Sequence, residues 1–474
     1  MGNELNRYLG FDCGNSSIRT VLGTCDGSRI SLEVVNKIPN REYRGIQYHY
    51  WDILAIFHEI VSSMKRSCDQ YPEIRSFGIS TWGIDFGLLG TSGELLGNPL
   101  CYRNPLGSEG MKSLTQGELE KLFAATGIQN LPMNSMYQLL GIRKSLPEYY
   151  AGAKTLLLIP DLLNHMLTDE LNSEVSIAST TQLLDMRTRT YSNAVFSQVD
   201  LNRELFMPMV PHTEVRGHIS ERIAQLNQIP RIPAMSVPAH DTAAAVVSVP
   251  TEANRFAFIS SGTWSLIGTE IPEPIITKDV EDAGFSNEGG VFGTITLLKN
   301  SCGMHILQLI KRELEFTEHR AYTWDEIIAH SIPALKRADL PEFDVNAEEL
   351  YLPDSMIGAI RKLTGLQDTG AIIASAYKSL AASYQVALED LERITGDSFD
   401  TIHIIGGGAR NDHLNQMTAD RTGKRVVAGP EEATSLGTIA VQIMHDHPEL
   451  KLADIRRIIR NSIQCKTFSP SVSR

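Results

Sequence analysis

The sequence has few cysteines, no long apolar stretch and no excess of positive charge. Its 474 residues include only six cysteines, none spaced as C-x-x-C, so we expect reduced thiols in a cytoplasmic protein. No apolar stretch approaches the roughly 20 residues that cross a bilayer, and the N-terminal residues lack the pattern of a secretion signal. The net charge of −13 argues against nucleic acids and anionic membranes as partners, because both attract positive surfaces.

Two common nucleotide-binding motifs are also missing. Gly423-Lys424 is followed by Arg425, so the chain has no G-x-x-x-x-G-K-[ST] loop at that position. The segment "GGGARN" at 406–411 lacks the third glycine of the dinucleotide fingerprint G-x-G-x-x-G. A bound nucleotide would therefore have to be held by other elements.

The composition and the order of the elements predict an α/β protein. With 42% hydrophobic residues, the chain can form two or three domains of about 150 residues each. Strand patterns at 402–405 and 425–429 alternate with helical patterns from about Asp412 and from Thr434, which is typical of an α/β sandwich. The clearest helix spans 371–395 and is stopped by Gly396. The proline-bearing segment around Pro250 marks the predicted domain boundary.

Two hairpins with glycine and hydroxyl residues in their turns suggest a duplicated architecture. The first lies at 11–23 and the second at 256–270. Turns of this kind expose backbone N–H groups that can bind phosphate oxygens, as can the glycine run at 406–411. A glycine-serine turn on its own is more often only a turn.

Asp12 and Asp241 are the carboxylates that need an explanation. Asp12 lies between apolar residues of a strand, and a buried carboxylate needs a partner. It either reaches solvent, caps its own turn or meets a cation such as Mg²⁺. Asp241 precedes a run of small residues and is a candidate helix N-cap. A carboxylate at the positive end of a helix stays ionised, as the base in phosphoryl transfer must be.

Four segments together resemble one known family: "DCGNSSIR" at 12–19, "HDTAAAV" at 240–246, "SSGTWSLIG" at 260–268 and "GGGARND" at 406–412. They resemble the FGGY carbohydrate kinases, which are members of the actin-like (ribonuclease H-like) ATPase superfamily, over about residues 8–465. The resemblance implies two actin-like α/β domains around an interdomain cleft. It implies a sugar-binding domain at 1–249, a nucleotide-binding domain at 250–465 and a tail at 466–474.

The resemblance also implies ATP-dependent phosphorylation of a sugar, with Mg²⁺ as the metal, by a monomer or homodimer. Within the family, "STWGIDFGLL", "SNEGG" and "LKNSCGMHILQ" most resemble the members that phosphorylate the 1-hydroxyl of L-rhamnulose. Related kinases for fuculose, xylulose or another small polyol remain alternatives. A non-catalytic sugar-sensing protein on the same fold is the alternative from another class.

Residue roles follow from the resemblance position by position. Asp241 would be the catalytic base and Asp12 would steer Mg²⁺. Sugar binding is implied for Gly83, His240, Asp241, Thr242 and Asn300. Nucleotide binding is implied for Asn15, Ser16, Ser17, Ile18, Arg19, Thr263, Gln308 and Gly407. The aromatic rings of Trp51 and Trp82 would face the sugar or pack in the core, and the sequence favours neither.

The chain departs from the family pattern in three places: at Ser80, at Asn104 with Leu106, and at Asn15, which stands where a small residue or Thr is usual. Ser80 stands where related kinases often carry Asp. Asn104 and Leu106 lie where the family commonly shows Arg-Asp-x-Arg. These departures concern the identity of the sugar, since the expected base, metal residue and phosphate turns are all present.

Overall fold

The computed structural model describes residues 6–71, 73–337, 339–351 and 353–471. The chain forms two compact units. The first unit runs to Glu252 and takes in Glu270–Leu297 and Ala433–Ile463. The second unit comprises Ala253–Thr269, Leu298–Glu432 and the chain from Gln464 onward.

Strands and helices alternate along both units. The strands are β1 (Asn6–Cys13), β2 (Ser17–Cys25), β3 (Ile30–Pro39), β4 (Glu42–Arg44), β5 (His49–Trp51), β6 (Ile74–Thr81), β7 (Phe86–Leu89), β8 (Thr155–Leu158), β9 (Leu184–Asp185), β10 (Thr190–Tyr191), β11 (Val215–His218), β12 (Pro233–Met235), β13 (Ala257–Ser261), β14 (Trp264–Ile271), β15 (Phe285–Gly289), β16 (Ile295–Cys302), β17 (Thr401–Ile405), β18 (Arg425–Ala428) and β19 (Lys466–Phe468). The α-helices are α1 (Ile53–Gln70), α2 (Leu106–Met111), α3 (Gln116–Thr126), α4 (Ser135–Ser145), α5 (Pro147–Gly152), α6 (Ile159–Thr168), α7 (Val175–Ser179), α8 (Asn193–Val199), α9 (Glu221–Asn227), α10 (Asp241–Val247), α11 (Lys278–Asp282), α12 (His305–Glu318), α13 (Trp324–Leu335), α14 (Met356–Thr364), α15 (Thr369–Thr395), α16 (Asp412–Thr422), α17 (Ala433–Asp446) and α18 (Leu452–Ser462). Short 3₁₀ turns lie at Arg203–Leu205, Val291–Gly293, Glu348–Leu350 and Gly407–Arg410.

The first unit is built on a mixed sheet with the strand order β11-β12-β6-β1-β2-β3. Strand β1 runs antiparallel to β2 and parallel to β6, and β6 runs parallel to β12. Alternate residues of a strand point to opposite faces, so Leu9 and Phe11 enter one apolar cluster and Tyr8 enters another. Residues of α1 and α6 complete the first cluster and residues of α17 the second. Helices therefore cover both faces of this sheet.

The second unit repeats the central part of this arrangement. Its strands follow the order β16-β14-β13-β17-β18-β19. An antiparallel hairpin, β13 with β14, is followed by the parallel neighbours β17 and β18. In the first unit the hairpin of β1 and β2 is likewise followed by β6 and β12. The duplicated architecture predicted from the two hairpins is therefore confirmed.

The predicted long helix is confirmed with a small shift at its start. Helix α15 begins at Thr369, two residues before the predicted start, because the side chain of Asp368 accepts a hydrogen bond from Ala371 N. It ends at Thr395, and Gly396 adopts the left-handed conformation with φ 71°. Glycine reaches this conformation without the steric cost of a side chain.

The two units do not follow the predicted domain boundaries throughout. The chain does leave the first unit near Pro250, after Glu252, but it returns at Glu270–Leu297 and at Ala433–Ile463. Helix α17 lies against β1 and β6, because Ile439 and its apolar neighbours fill the second cluster of the first sheet. Apolar periodicity identifies the face of a helix that is buried. It does not identify the sheet against which that face packs.

The predicted tail at 466–474 also differs from the structure. Residues Lys466–Phe468 form strand β19, which pairs antiparallel with β18. Residues 472–474 of that tail lie outside the described residues, as do residues 1–5 of the first predicted domain. All six cysteines are free thiols.

In the part of the chain that the structure describes, no helix combines the length and apolar character needed to cross a membrane.

Candidate active site

Three chain segments end side by side at one edge of the first sheet. Cys13, at the end of β1, is the parallel partner of Thr81, at the end of β6. Thr81 in turn forms a parallel bridge with His240 and donates its N–H to the carbonyl of Ala239 at 2.8 Å. In open α/β sheets this carboxyl edge is where ligands bind. The predicted residues Asp12, Gly83 and Asp241 adjoin these strand ends in the chain.

Asp12 lies in the hairpin that carries the predicted phosphate turn. The turn closes through Gly14 N, which donates to Ser17 O at 2.9 Å. Asp12 is directly opposite Arg19 in the sheet register, and its Oδ2 lies 3.6 Å from Arg19 Nη1. Ser435 Oγ donates to the same Oδ2 at 3.3 Å. The carboxylate, with 13% of its side chain exposed, therefore already has positive and polar neighbours.

Asp241 is the first residue of helix α10, and the sequence-based expectation that it is the N-cap is wrong. The N-cap is His240, whose backbone is extended at φ −80° and ψ 125° because it still pairs with β6 through Thr81. The Asp241 side chain is 34% exposed, and its Oδ1 accepts a hydrogen bond from Thr242 Oγ1 at 3.2 Å. Burial raises the pKa of Asp241, whereas the neighbouring His240 lowers it.

His240 stands between two carboxylates. Its Nδ1 lies 3.1 Å from Glu288 Oε2, and its Nε2 lies 3.4 Å from Asp241 Oδ1. Burial by itself would lower the pKa of His240. The hydrogen bond and charge of Glu288, with the charges of Asp241 and Glu174, outweigh burial and raise that pKa to about 9. The imidazole is therefore a cation at neutral pH.

Glu174 holds the chain just before His240. It is fully buried and accepts hydrogen bonds from Ser176 N at 2.7 Å, from Ile177 N at 3.1 Å and from Ala239 N at 3.0 Å. His212 Nε2 lies 2.6 Å from Oε1, the oxygen that also accepts from Ser176 N. Burial alone would raise the pKa of Glu174, but His212 and the Ser176 donors lower it to about 2. The carboxylate therefore stays ionised and fixes the backbone next to His240.

The predicted sugar residue Gly83 begins a tightly held loop. A Cβ at Gly83 would lie 2.9 Å from Thr180 Cγ2, so this position has no room for a side chain. Ile84 has a left-handed backbone, with φ 70°, and its N–H donates to Thr180 Oγ1 at 2.9 Å. Ser135 Oγ donates to the Ile84 carbonyl at 2.6 Å. Strained residues held in this way cluster at functional sites.

Trp51 and Trp82 pack in the core of the first unit. Trp51 is 0% and Trp82 3% exposed, and their ring centroids are 4.4 Å apart. Both indole N–H groups donate to Asp85 Oδ2, at 2.6 and 3.0 Å. The core alternative that the sequence left open is therefore the correct one for both rings.

Ser80, Asn104 and Leu106, which depart from the family pattern, are all buried. Ser80 is buried, donates to Pro238 O at 2.8 Å and lies 2.7 Å from Thr438 Oγ1. Asn104 accepts from His49 N and donates to His49 O, each at 2.8 Å. Leu106 is buried at the start of α2.

In the second unit the two predicted glycine turns follow neighbouring parallel strands. Strand β13 leads into the turn that carries Thr263, and Gly262 N donates to Trp264 O at 2.8 Å. Strand β17, the parallel neighbour of β13, leads into the turn that carries Gly407. A Cβ at Gly408 would lie 2.0 Å from Ser261 Oγ. The structure thus brings these two turns into direct contact.

Gln308 and Asn300 also lie in the second unit. Helix α12 is joined to the hairpin turn by Met304 N and His305 N, which donate to Gly262 O at 3.0 Å and Thr263 O at 3.2 Å. Gln308 follows in the first turns of α12, and Asn300 lies in β16. Asn300, predicted to bind sugar, is therefore in the unit that carries Thr263, Gln308 and Gly407. Gly83, His240, Asp241 and Thr242 are in the other unit.

The family follows from the sequence comparisons. The family described as "FGGY family of carbohydrate kinases, N-terminal domain" matches residues 7–248, and its C-terminal domain matches residues 257–445. The chain belongs to the FGGY family of carbohydrate kinases. As a member of this family it is an ATP-dependent sugar kinase, a phosphotransferase that acts on a sugar hydroxyl.

Relatives extend over nearly the whole chain. A rhamnulokinase from Bacteroides thetaiotaomicron is 36% identical, with 98% of this chain and 96% of the relative covered. A rhamnulokinase from Oceanobacillus iheyensis is 35% identical, with 97% and 98% covered. Among solved structures, gluconate kinase from Lactobacillus acidophilus has a TM-score of 0.83 at 16% identity and covers 99% of this chain and 94% of that one. A xylulose kinase from the same organism has a TM-score of 0.81 at 16% identity, covering 98% and 94%. The structures show the two-domain FGGY kinase fold.

The sequence missed two acidic residues of this FGGY kinase that surround His240. Glu288 lies in the quoted segment "SNEGG", where a carboxylate beside two glycines in a buried strand was an available signal. Glu174 lies in the segment "NSEVS", which shows no distinguishing pattern. Both act on His240 from positions distant in the chain, and a single sequence does not reveal such pairs.

The residues around Asp12 fit a metal ion that arrives with a nucleotide. Among the described residues, no group of three or more His, Cys, Asp or Glu side chains could hold a metal by itself. Mg²⁺ does not require such a group, because one or two carboxylates together with phosphate and water complete its shell. Asp12 supplies one partly exposed carboxylate of this kind.

Proposed function

We propose that this FGGY kinase transfers the γ-phosphoryl group of ATP to the 1-hydroxyl of L-rhamnulose. The observation that supports this substrate is the similarity to rhamnulokinases, at 36% and 35% identity over at least 97% of the chain. The solved gluconate and xylulose kinases are only 16% identical, and a shared fold does not specify a substrate.

In this proposal Asp241 is the general base. Its carboxylate accepts the proton of the sugar hydroxyl while the hydroxyl oxygen forms a bond to the γ-phosphorus. The bond from that phosphorus to the bridging oxygen breaks, and ADP leaves with the electron pair. The Asp241 carboxyl group next to the His240 imidazole suits this step, because phosphoryl transfer depends on positioning and electrostatics. His240, Thr242, Gly83 and Asn300 would bind the sugar.

The nucleotide in this proposal is held by backbone turns and hydroxyl groups. The first set is the hairpin turn and the start of β2, comprising Asn15, Ser16, Ser17, Ile18 and Arg19. The second set comprises Thr263, Gln308 and Gly407. Asp12 would hold Mg²⁺, directly or through water, and the bound metal would neutralise charge on the phosphate oxygens.

A substrate panel tests the choice of sugar. We expect ADP release to give a kcat/KM for L-rhamnulose at least about ten-fold above those for L-fuculose, D-xylulose and glycerol, because a pocket loses 1–3 kcal/mol for each ill-fitting group. Preference for another of these compounds would reject rhamnulose and leave the kinase activity standing. Nucleotide binding without ADP release on any sugar would favour the non-catalytic alternative.

The substitution Asp241→Asn tests the base. We expect kcat to fall by about 10²–10⁴-fold, which is the usual contribution of general acid–base catalysis. ATP affinity, measured by isothermal titration calorimetry, should stay within about two-fold, because a loss confined to kcat reports a transition-state interaction.

The matched control is Asp200→Asn. The Asp200 side chain is 97% exposed. The backbone of Asp200 is left-handed, a conformation that asparagine adopts readily. Substantial activity in Asp241→Asn, with the control unchanged, would refute the assigned base.

A further inference from the structure

Glu288, His240 and Asp241 form a row of charged groups in the first unit. The side chains of Glu288 and His240 are only 11% and 10% exposed, whereas Asp241 is 34% exposed. His240 Nδ1 lies 3.1 Å from Glu288 Oε2, and Nε2 on the opposite side of the ring lies 3.4 Å from Asp241 Oδ1. The row therefore runs from a buried acid to the partly exposed carboxylate proposed as the base.

Both ends of the buried pair are fixed by their backbones. His240 N donates to Ser176 Oγ at 3.1 Å, and the preceding residue Ala239 is held by Glu174. Next to Glu288, Gly289 N donates to Ser179 Oγ at 2.9 Å. The backbone segments that carry His240 and Glu288 are therefore both held in place.

The two facing atoms of the pair have only each other. Among the described residues, neither Glu288 Oε2 nor His240 Nδ1 has a hydrogen-bond partner apart from this ion pair. A buried carboxylate without a partner is costly, and removal of one member of a buried pair leaves the other uncompensated. An apolar pair at these positions would pack without the cost of burying two charges. The buried ion pair therefore points to a role in the reaction proposed at Asp241.

We propose that Glu288 is a positioning residue for phosphoryl transfer: it holds the imidazole ring of His240 with Nδ1–H on Glu288 and Nε2–H directed toward Asp241 and the sugar. This inference rests on the proposed function, because it takes Asp241 as the base. Glu288 acts only through His240, and it keeps a cation beside the carboxylate that must be ionised to accept the proton.

The charges around the row determine the sign of the effect. Glu288, Asp241 and Glu174 all act on His240 and favour its protonated form. On Asp241, the His240 cation lowers the pKa more than Glu288 raises it. Loss of Glu288 therefore lowers the pKa of His240, so the cation beside Asp241 is lost at a lower pH.

The test compares Glu288→Gln with Glu288→Asp in the full-length kinase, with L-rhamnulose and ATP. For Glu288→Gln we expect the basic limb of the kcat/KM profile for sugar to move down by about one to three pH units, because His240 then loses its proton at a lower pH. At a fixed pH on that limb, kcat/KM should fall by about ten-fold for each pH unit by which the limb has moved. The KM for ATP should be unchanged. Glu288→Asp keeps the charge, so its limb should stay close to that of the unsubstituted protein. An unmoved limb in Glu288→Gln, or equal loss at every pH in both variants, would overturn the proposal.

A measurement on the unsubstituted protein covers the case in which Glu288→Gln fails to fold. Histidine-labelled NMR, with His240→Gln to assign the signal, should show His240 still protonated up to a pH of about 9. Titration near the ordinary histidine value of about 6.5 would also overturn the proposal. If Asp241→Asn keeps its activity, the assigned base fails. If Asp241→Asn is inactive and the Glu288→Gln limb is unmoved, only the role of Glu288 fails.

Discussion

Asp85 joins three segments of the first unit through one buried carboxylate. It is 1% exposed and accepts hydrogen bonds from Trp51 Nε1, Trp82 Nε1 and Gln138 Nε2 at 2.6, 3.0 and 3.3 Å. Burial raises the pKa of Asp85 and these donors lower it, with a net rise to about 7. The loop that begins at Gly83 thus ends on a residue whose protonation contributes to stability.

The substitution Asp85→Asn should change the pH dependence of stability. The pKa of Asp85 is above its ordinary value of 3.8 in the folded protein, so its contribution is fully present at low pH and is lost as the pH rises toward about 7. We subtract the thermal unfolding midpoint of Asp85→Asn from that of the unsubstituted protein at each pH. This difference should fall by roughly 5 °C between pH 4 and pH 8. Differential scanning calorimetry at one scan rate measures both midpoints.

Asp69→Asn is the control for this comparison, because the Asp69 side chain is 60% exposed on α1. Its midpoint should follow that of the unsubstituted protein at every pH. A constant difference between the unsubstituted protein and Asp85→Asn would mean that Asp85 does not titrate in this range.

At the scale of elements, helix α17 contacts both Asp12 and Asp241 and also packs in the core of the first unit. Ser435 donates to Asp12, and Thr434 Oγ1 donates to the carbonyl of Asp241 at 3.2 Å. The helix also approaches α10 very closely, since a Cβ at Gly437 would lie 1.8 Å from Ala244 O. Glycine at this position therefore sets how near α10, which begins with Asp241, lies to α17.

Gly437→Ala should lower both stability and activity. Alanine in a helix gains about 1 kcal/mol over glycine, whereas overpacking costs about 1–3 kcal/mol, so the steric term should prevail. Because α10 must shift, we expect kcat to fall by about 10–100-fold. Urea unfolding and steady-state kinetics measure the two effects.

Gly117→Ala in α3 separates propensity from packing, because a Cβ there has nothing within 4 Å. We expect this variant to keep its activity and to gain about 0.5–1 kcal/mol of stability. If Gly437→Ala behaves like Gly117→Ala, the close approach of the two helices does not control the site.

At the scale of the molecule, the core of the first unit is built from both ends of the sequence. Tyr8 and Val21 of the first sheet share one apolar cluster with Ile439, Ile443 and Ile455 of α17 and α18. The family match assigns residues 257–445, including most of α17, to the C-terminal domain. In the structure Ala433–Ile463 belongs to the first unit, so sequence domain and structural unit differ here.

A fragment of residues 1–252 should consequently fail to fold alone. Without α17 and α18 one face of its sheet would expose a large apolar cluster, which folded domains cover. We expect no cooperative unfolding transition by circular dichroism. Co-expression with residues 270–297 and 433–463 should restore one. Cooperative unfolding of the lone fragment near the full-length midpoint would show that the missing helices are not needed.

The sequence predicted the local parts of the fold. It also singled out candidate residues that lie in short motifs. Both hairpins, helix α15 with its stop at Gly396, and the alternation of strands and helices follow from patterns within a few residues. Asp12 and Asp241 stand out because a carboxylate in an apolar strand or at a helix start needs a reason. Their roles remain proposals.

Only the tertiary structure decided which distant segments meet. It paired Glu288 with His240 and hydrogen-bonded Glu174 to Ala239 N. It also packed helix α17 against the first sheet. It also buried Trp51 and Trp82 against Asp85. The physical reason is that periodicity and turn chemistry depend on neighbours in the chain, whereas ion pairs and core contacts depend on how sheets and helices pack, which one sequence does not encode in any single segment.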